Sequence, residues 1–158
     1  MNWLAVFEWC EHTAIGTAIR ESVWAFPIVE AFHLVAFAVL GGSILLVDVR
    51  LAGFGLRNQS VADVARETRP WMLGSLSLAV PTGVLLFLSE ATKCYYSEPF
   101  WVKMTALTLA LVFTFTVRRR VIKADPARIG RWGTVVAATS LIFWAGVAWG
   151  GRWIGFSG

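Results

Sequence analysis

The sequence predicts an all-α fold: an integral membrane four-helix bundle with an additional N-terminal amphipathic helix at the outer face. Three observations carry that expectation. The chain of 158 residues is 57% hydrophobic and only 15% charged, with a mean hydropathy of +0.64. Soluble domains are about 45–50% apolar and about 25% charged. The apolar excess gathers into four blocks, each long enough for the roughly 20 residues that cross a hydrocarbon core about 30 Å thick. The third observation is where the cations fall: ten of the fourteen Lys and Arg lie in just two connections.

Residues 3–20 are apolar but too short and too charged to span. Trp3, Leu4, Phe7, Cys10, Ala14 and Ile15 recur at helical spacing among Glu8, Glu11 and His12, which reads as an amphipathic helix at the interface or on the bundle mouth. The first span covers about residues 22–47, with Pro27 near its first turn, where a missing N–H costs little. A polar connection follows, holding a short amphipathic helix capped by Ser60. The second span covers about 70–91, kinked at Pro81. "TKCYYSEP" reads as a tight turn. The third span covers about 99–117, a basic loop follows, and the fourth covers about 132–150. No repeat or linker divides the chain, so residues 1–158 form one transmembrane domain.

Arg50, Arg57, Arg66 and Arg69 follow the first span; Arg118, Arg119, Arg120, Lys123, Arg128 and Arg131 follow the third. Positive residues in short loops stay cytoplasmic. Both connections then face the cytoplasm of a bacterial inner membrane, and both termini face the periplasm. The positive-inside pattern accounts for a net charge of +4 and an isoelectric point near 9.6 without nucleic acid as a partner. The N-terminus lacks the basic n-region of a cleavable signal peptide. P-loop, GxGxxG, nucleophile-elbow and His-Glu-x-x-His signatures are absent.

Chemistry-bearing residues collect at the outer half. Both histidines, both cysteines and both tyrosines lie there, with Glu8, Glu11, Glu21, Glu30, Glu90 and Glu98. Glu30 and His33, three apart on one helix face, sit inside the first span. His33 is about eleven residues deep, roughly 16 Å at 1.5 Å per residue. An ionisable group at that depth is expensive and reads as functional by default. Three uses are open: a histidine hydrogen-bonded within the bundle, an axial ligand of haem b, or a copper ligand assisted by Glu30. Glu-x-x-His also occurs in di-iron bundles, but on two helices, and here it appears once.

His12, Cys10 and Cys94 could meet at the outer mouth as a copper or zinc set by ligand softness. Cys10 and Cys94 could equally form a disulfide. A haem would need cations for its propionates, and Arg20, Lys103 and Arg152 are placed for that, Arg offering a bidentate fork. Snorkelling, or pairing of Arg20 or Arg152 with Glu21, Glu30 or Glu90, is the structural alternative. Most tryptophans belong to interfacial belts. The glycines of "VLGGS" and "GVAWGG" allow close helix approach or the flat face of a macrocycle.

The blocks "ESVWAFPIVEAFHLVAFAVLGGSILLVDVRLAGFG", "SEATKCYYSEPFWVKM" and "GRWIGF" resemble an uncharacterised family of small four-span bacterial membrane proteins. Glu30, His33, Asp48, Arg50, Glu90, Lys93, Cys94, Lys103, Gly151 and Arg152 carry the likeness. More distantly, the helix count and a Phe-x-x-Lys…Gly-Arg pattern are similar to CopD-type copper-resistance domains and cytochrome-b-type bundles. That resemblance implies haem held by paired histidines on facing helices. The chain departs from it, because spans two to four contain no histidine. The expectation is therefore a membrane-embedded b-type haem protein with His33 as axial ligand, working in electron transfer or quinol oxidation, with a possible outer copper centre and a homo-oligomeric state. The alternatives are a copper-binding or copper-transport protein and a non-catalytic anchor or assembly subunit.

Overall fold

The computed structural model describes residues 3–56, 58–124 and 126–155. Every regular element in them is a helix: α1 (Trp3–Glu11), α2 (Ala14–Glu21), α3 (Ala25–Leu51), α4 (Val61–Ser89), α5 (Ala91–Tyr96), α6 (Glu98–Phe113), a π turn (Thr114–Arg118), α7 (Arg119–Ile122) and α8 (Pro126–Ile154). Four segments are long and apolar enough to cross a bilayer: Ala25–Leu51, Val61–Ser89, Glu98–Ile122 and Gly130–Ile154. The chain is thus a multi-pass membrane protein. One end of the bundle carries α1, α2, α5 and the end of α8. The other carries the basic connections and is called here the basic end.

Local chemistry explains where the elements depart from expectation. The single amphipathic helix over 3–20 is two helices. Thr13 is extended and its hydroxyl accepts from the Gly16 amide at 3.2 Å, capping α2. The tight turn at "TKCYYSEP" holds the short helix α5. Ser60 caps a helix as expected, accepting from the Asp63 amide at 3.0 Å, but that helix does not stop before Pro70. It runs on as α4 with Pro70 and Pro81 inside it. Pro70 forfeits only the bond to the carbonyl one turn earlier, at the basic end, where water can satisfy it. Helix α8 bends at Gly130, whose φ of 37° suits a residue without a β-carbon.

Packing is that of a membrane bundle. Helix α3 lies along α4, α6 lies along α8, and α8 also meets α3, while α2 rests on α4 and α1 on α5. Small residues make the close approaches: Ala36 and Ser43 on α3, and Ser75, Ala79 and Thr82 on α4, are buried. The apolar centre joins Leu40 and Ile44 to Ala110, Trp144 and Val147. Large residues such as Phe32, Leu34, Val35 and Ile142 point outward, as lipid contact requires.

The terminal end is roofed. Phe7 of α1 packs edge-on against Phe87 and Tyr95 at 5.4 and 5.2 Å between ring centroids. Gly16 of α2 sits so close to α4 that a β-carbon there would lie 2.4 Å from the Leu88 carbonyl oxygen. Only glycine permits that contact.

Candidate functional site

His33 projects from α3 onto α4. Its Nδ1 lies 3.0 Å from the Ala79 carbonyl and 3.0 Å from Thr82 Oγ1. A carbonyl oxygen only accepts, and the Thr82 hydroxyl donates to the Leu78 carbonyl at 2.7 Å. Nδ1 therefore carries the proton, and Nε2 on the opposite edge keeps the lone pair. Gly83 makes room for the ring: a β-carbon there would lie 3.1 Å from His33 Cε1. Sequence placed a histidine at mid-helix; the fold turns it into a tautomer-locked imidazole between two helices.

Lys103 stands on α6, and it and Glu30 are near enough for their charges to bear on the His33 ring. Glu30 itself is exposed one turn earlier on α3. Two glycines of α8 receive Lys103. A β-carbon at Gly150 would lie 2.8 Å from Lys103 Cβ, and one at Gly151 would lie 3.6 Å from Nζ. These glycines, like Gly83, are filled by the protein's own groups, so they serve helix approach and not the flat face of a macrocycle. Among the described residues no carboxylate lies within ion-pair distance of the Lys103 ammonium. Arg152 is exposed at the end of α8, next to Gly151.

The roof residues divide differently. Arg20 pairs at 3.0 Å with Glu11, not with Glu21, Glu30 or Glu90. The second Glu11 oxygen accepts the Thr92 amide at 2.6 Å, tying α1 to α5 across 81 positions of sequence. Partial burial works to raise the Glu11 carboxyl, but the Thr92 hydrogen bonds and the Arg20 charge outweigh it and hold the group below its ordinary range. His12 is exposed, its Nδ1 donating to the Glu8 carbonyl at 2.7 Å. Cys10 and Cys94 are both free thiols. Burial, reinforced by the Glu90 charge, pushes the Cys94 thiol up to about 11, so it is protonated at neutral pH. Among the described residues no three His, Cys, Asp or Glu side chains gather as metal ligands. Cys10, His12 and Cys94 are therefore not assembled into a copper set.

A second polar site lies at the basic end, and the sequence reading did not anticipate it. Arg118, counted there among the loop cations, is buried. Its Nε donates to Asp48 Oδ1 at 2.6 Å, and its Nη2 donates to the Ile44 carbonyl at 3.1 Å. The pair is 5% and 0% exposed. The π turn that ends α6 places Arg118 inward, an extra residue per turn rotating it toward α3. In the same turn, Thr114 Oγ1 accepts from Trp144 Nε1 at 3.2 Å. The signal was available: Asp48 is an acidic residue in the last turns of an apolar span, and a buried carboxylate needs a partner.

These observations define a class, an integral membrane four-helix protein with one polar site in each half of its bundle. The chain belongs to a family of unknown function (DUF6644), whose family model matches residues 6–157. No curated protein and no solved structure matches it.

Proposed function

We propose that the chain is a membrane-embedded electron-transfer protein that carries a b-type haem on His33. The observation that supports this reading is the state of the ring. Nδ1–H is donated to a backbone carbonyl, and Nε2 is left with its lone pair, the arrangement in which outer-shell contacts orient a metal-ligating histidine. Lys103, a basic side chain with no carboxylate within ion-pair distance among the described residues, is the group that would meet a propionate. The donor set thus fits one axial ligand and one propionate contact. His33 would hold the group through Nε2, since the His33 ring itself takes up the space beside Gly83 and Lys103 that beside Gly150. Spans two to four contain no second histidine, so His33 is the one imidazole within the spans that would hold the group.

Bound there, haem supplies one-electron exchange at iron. The chain's own part is to fix the imidazole tautomer, to place a basic side chain in the apolar bundle, and to roof the site with α1 and α2. A position inside the bilayer suits quinol as the electron donor. In this reading the roofed end faces the periplasm, because the basic connections favour the cytoplasm.

The test is a visible spectrum with iron analysis of detergent-purified protein from haem-replete cells. A Soret band is expected, lost in His33→Ala and weakened in Lys103→Met. Colourless, iron-free wild-type protein would sink the proposal.

A further inference from the structure

The four spans do not close into a full ring. Helix α3 packs on α4 and on α8, and α8 packs on α6, but α4 and α6 do not lie along one another. A cleft runs between them. Leu40 of α3 and Trp144 of α8 form its floor, Met72 and Leu76 of α4 one wall, and Leu111 of α6 with Phe115 of the π turn the other. The stacked rings of Phe87 and Phe100, 5.7 Å between centroids, bridge the two walls at the roofed end. At the basic end α7 touches α4. The side away from α3 and α8 is left open, and in a membrane that side faces hydrocarbon.

Shape and charge select the occupant. The cleft encloses no room for a compact molecule, so whatever fills it lies along it as an extended chain. An empty apolar groove forfeits the dispersion contacts of its lining, and acyl chains are the apolar matter that a bilayer supplies. The cations at the basic end then choose among lipids. Arg69 stands one helical turn before Met72 on one wall, and Arg119 one turn after Phe115 on the other. Both are exposed, and among the described residues neither side chain has an ion-pair or hydrogen-bond partner. Their neighbours are engaged elsewhere: Arg66 by Asp63, Arg118 by Asp48 and Arg50 by the Gln59 carbonyl. Glu67 is two residues from Arg69 and so faces another side of α4. The positive-inside rule collects cations at this end; the fold sets Arg69 and Arg119 at the feet of opposite walls. We propose that the cleft holds one acyl chain of an anionic phospholipid from the leaflet at the basic end, with Arg69 and Arg119 on its phosphate.

Basic pockets between spans are seats for acidic lipid headgroups, and the guanidinium fork matches phosphate oxygens in pairs. The lipid completes the bundle where two of its helices do not meet, its chain covering Leu76 and Leu111 and its head neutralising cations that no carboxylate of the chain serves. Leu40 lies seven residues beyond His33, roughly 10 Å along α3. The cleft therefore stands apart from the imidazole, and neither this inference nor the haem proposal depends on the other.

Native mass spectrometry of the full chain, delipidated in detergent and titrated with phosphatidylglycerol or phosphatidylcholine, tests it. One phosphatidylglycerol per chain is expected to bind more than about tenfold tighter than phosphatidylcholine. Arg69→Gln and Arg119→Gln should each weaken phosphatidylglycerol about fivefold and leave phosphatidylcholine unchanged. Leu76→Trp, which fills the cleft and keeps every charge, should weaken both lipids. Arg131→Gln removes an exposed cation on the side of α8 turned away from Trp144 by helical spacing, and should change neither. Phosphatidylglycerol bound no tighter than phosphatidylcholine overturns the inference. So does an equal loss in Arg131→Gln, which would assign the preference to the diffuse charge of this end, or an unchanged affinity in folded Leu76→Trp, which would put the lipid outside the cleft. Glycerol phosphate competing as strongly as the lipid also overturns it, because the site would then take phosphate without a chain. The arginine variants change exposed side chains, so they decide the matter even if Leu76→Trp fails to fold.

Discussion

The buried pair offers the sharpest test of how this bundle is held together. Asp48 and Arg118 meet at 2.6 Å with their side chains almost wholly out of solvent. Asp48→Ala leaves the guanidinium inside the bundle with a backbone carbonyl for company. Arg118→Ala leaves a buried carboxylate without its cation. Removing one member of a buried pair costs about 3–5 kcal/mol. At 1.36 kcal/mol per factor of ten, that is about two to nearly four orders of magnitude in the folding equilibrium. Replacing both members with apolar residues of similar volume, Asp48→Leu with Arg118→Met, removes the stranded charge. The double variant is expected between wild-type stability and about 4 kcal/mol above it. The assay is equilibrium unfolding in mixed detergent and dodecyl sulfate micelles at neutral pH, followed by tryptophan fluorescence. Single variants within about 1 kcal/mol of wild type, or a double variant whose loss equals the sum of the singles, would refute the claim that these charges depend on each other.

Two further outcomes follow from the same geometry. Gly83→Ala introduces a β-carbon 3.1 Å from His33 Cε1; overpacking of this kind costs about 1–3 kcal/mol. It should push Nδ1 off the Ala79 carbonyl, so nitrogen NMR of His33, a single Nδ1–H tautomer in the wild type, should report a mixture in the variant. The Glu11 clasp should be acid-labile. A carboxyl held below its ordinary range when folded contributes stability that is complete above that range and is lost as pH falls through the folded value. Exchange of the Thr92 amide, protected by Glu11, should quicken below about pH 4.5 relative to its neighbours. In Glu11→Gln that pH dependence should be absent; an unchanged acid response there would place the cause elsewhere.

Much of the architecture is readable from local chemistry. Four apolar blocks must become helices in lipid, because no other open element satisfies its own backbone there. Ser60 announced a helix start, and Pro27 sat harmlessly in a first turn. Boundaries failed where neighbouring stretches merged or split. Pro70 reads as a helix start, yet the amphipathic turns before it continue into the apolar run. Thr13 looks like an interior residue, yet its hydroxyl caps a new helix.

The site divides along the same line. That His33 matters is legible from one imidazole in a greasy run, since its cost there demands a reason. Its tautomer is not, because Ala79, Thr82 and Gly83 lie about fifty positions away and meet the ring only when α3 packs on α4. Cys10, His12 and Cys94 share an end of the molecule in the sequence reading, and the structure does not gather them into a ligand set. Sequence distance also hid the pair at the basic end: Asp48 and Arg118 are seventy positions apart. The amino-acid sequence by itself determined the helices, their lipid-facing character and the ends where charge collects, because those follow from hydropathy and backbone satisfaction residue by residue. Which charges are buried and which partner each takes was decided only by tertiary structure, because helix rotation and the π turn set them, and neither is written in any local run of residues.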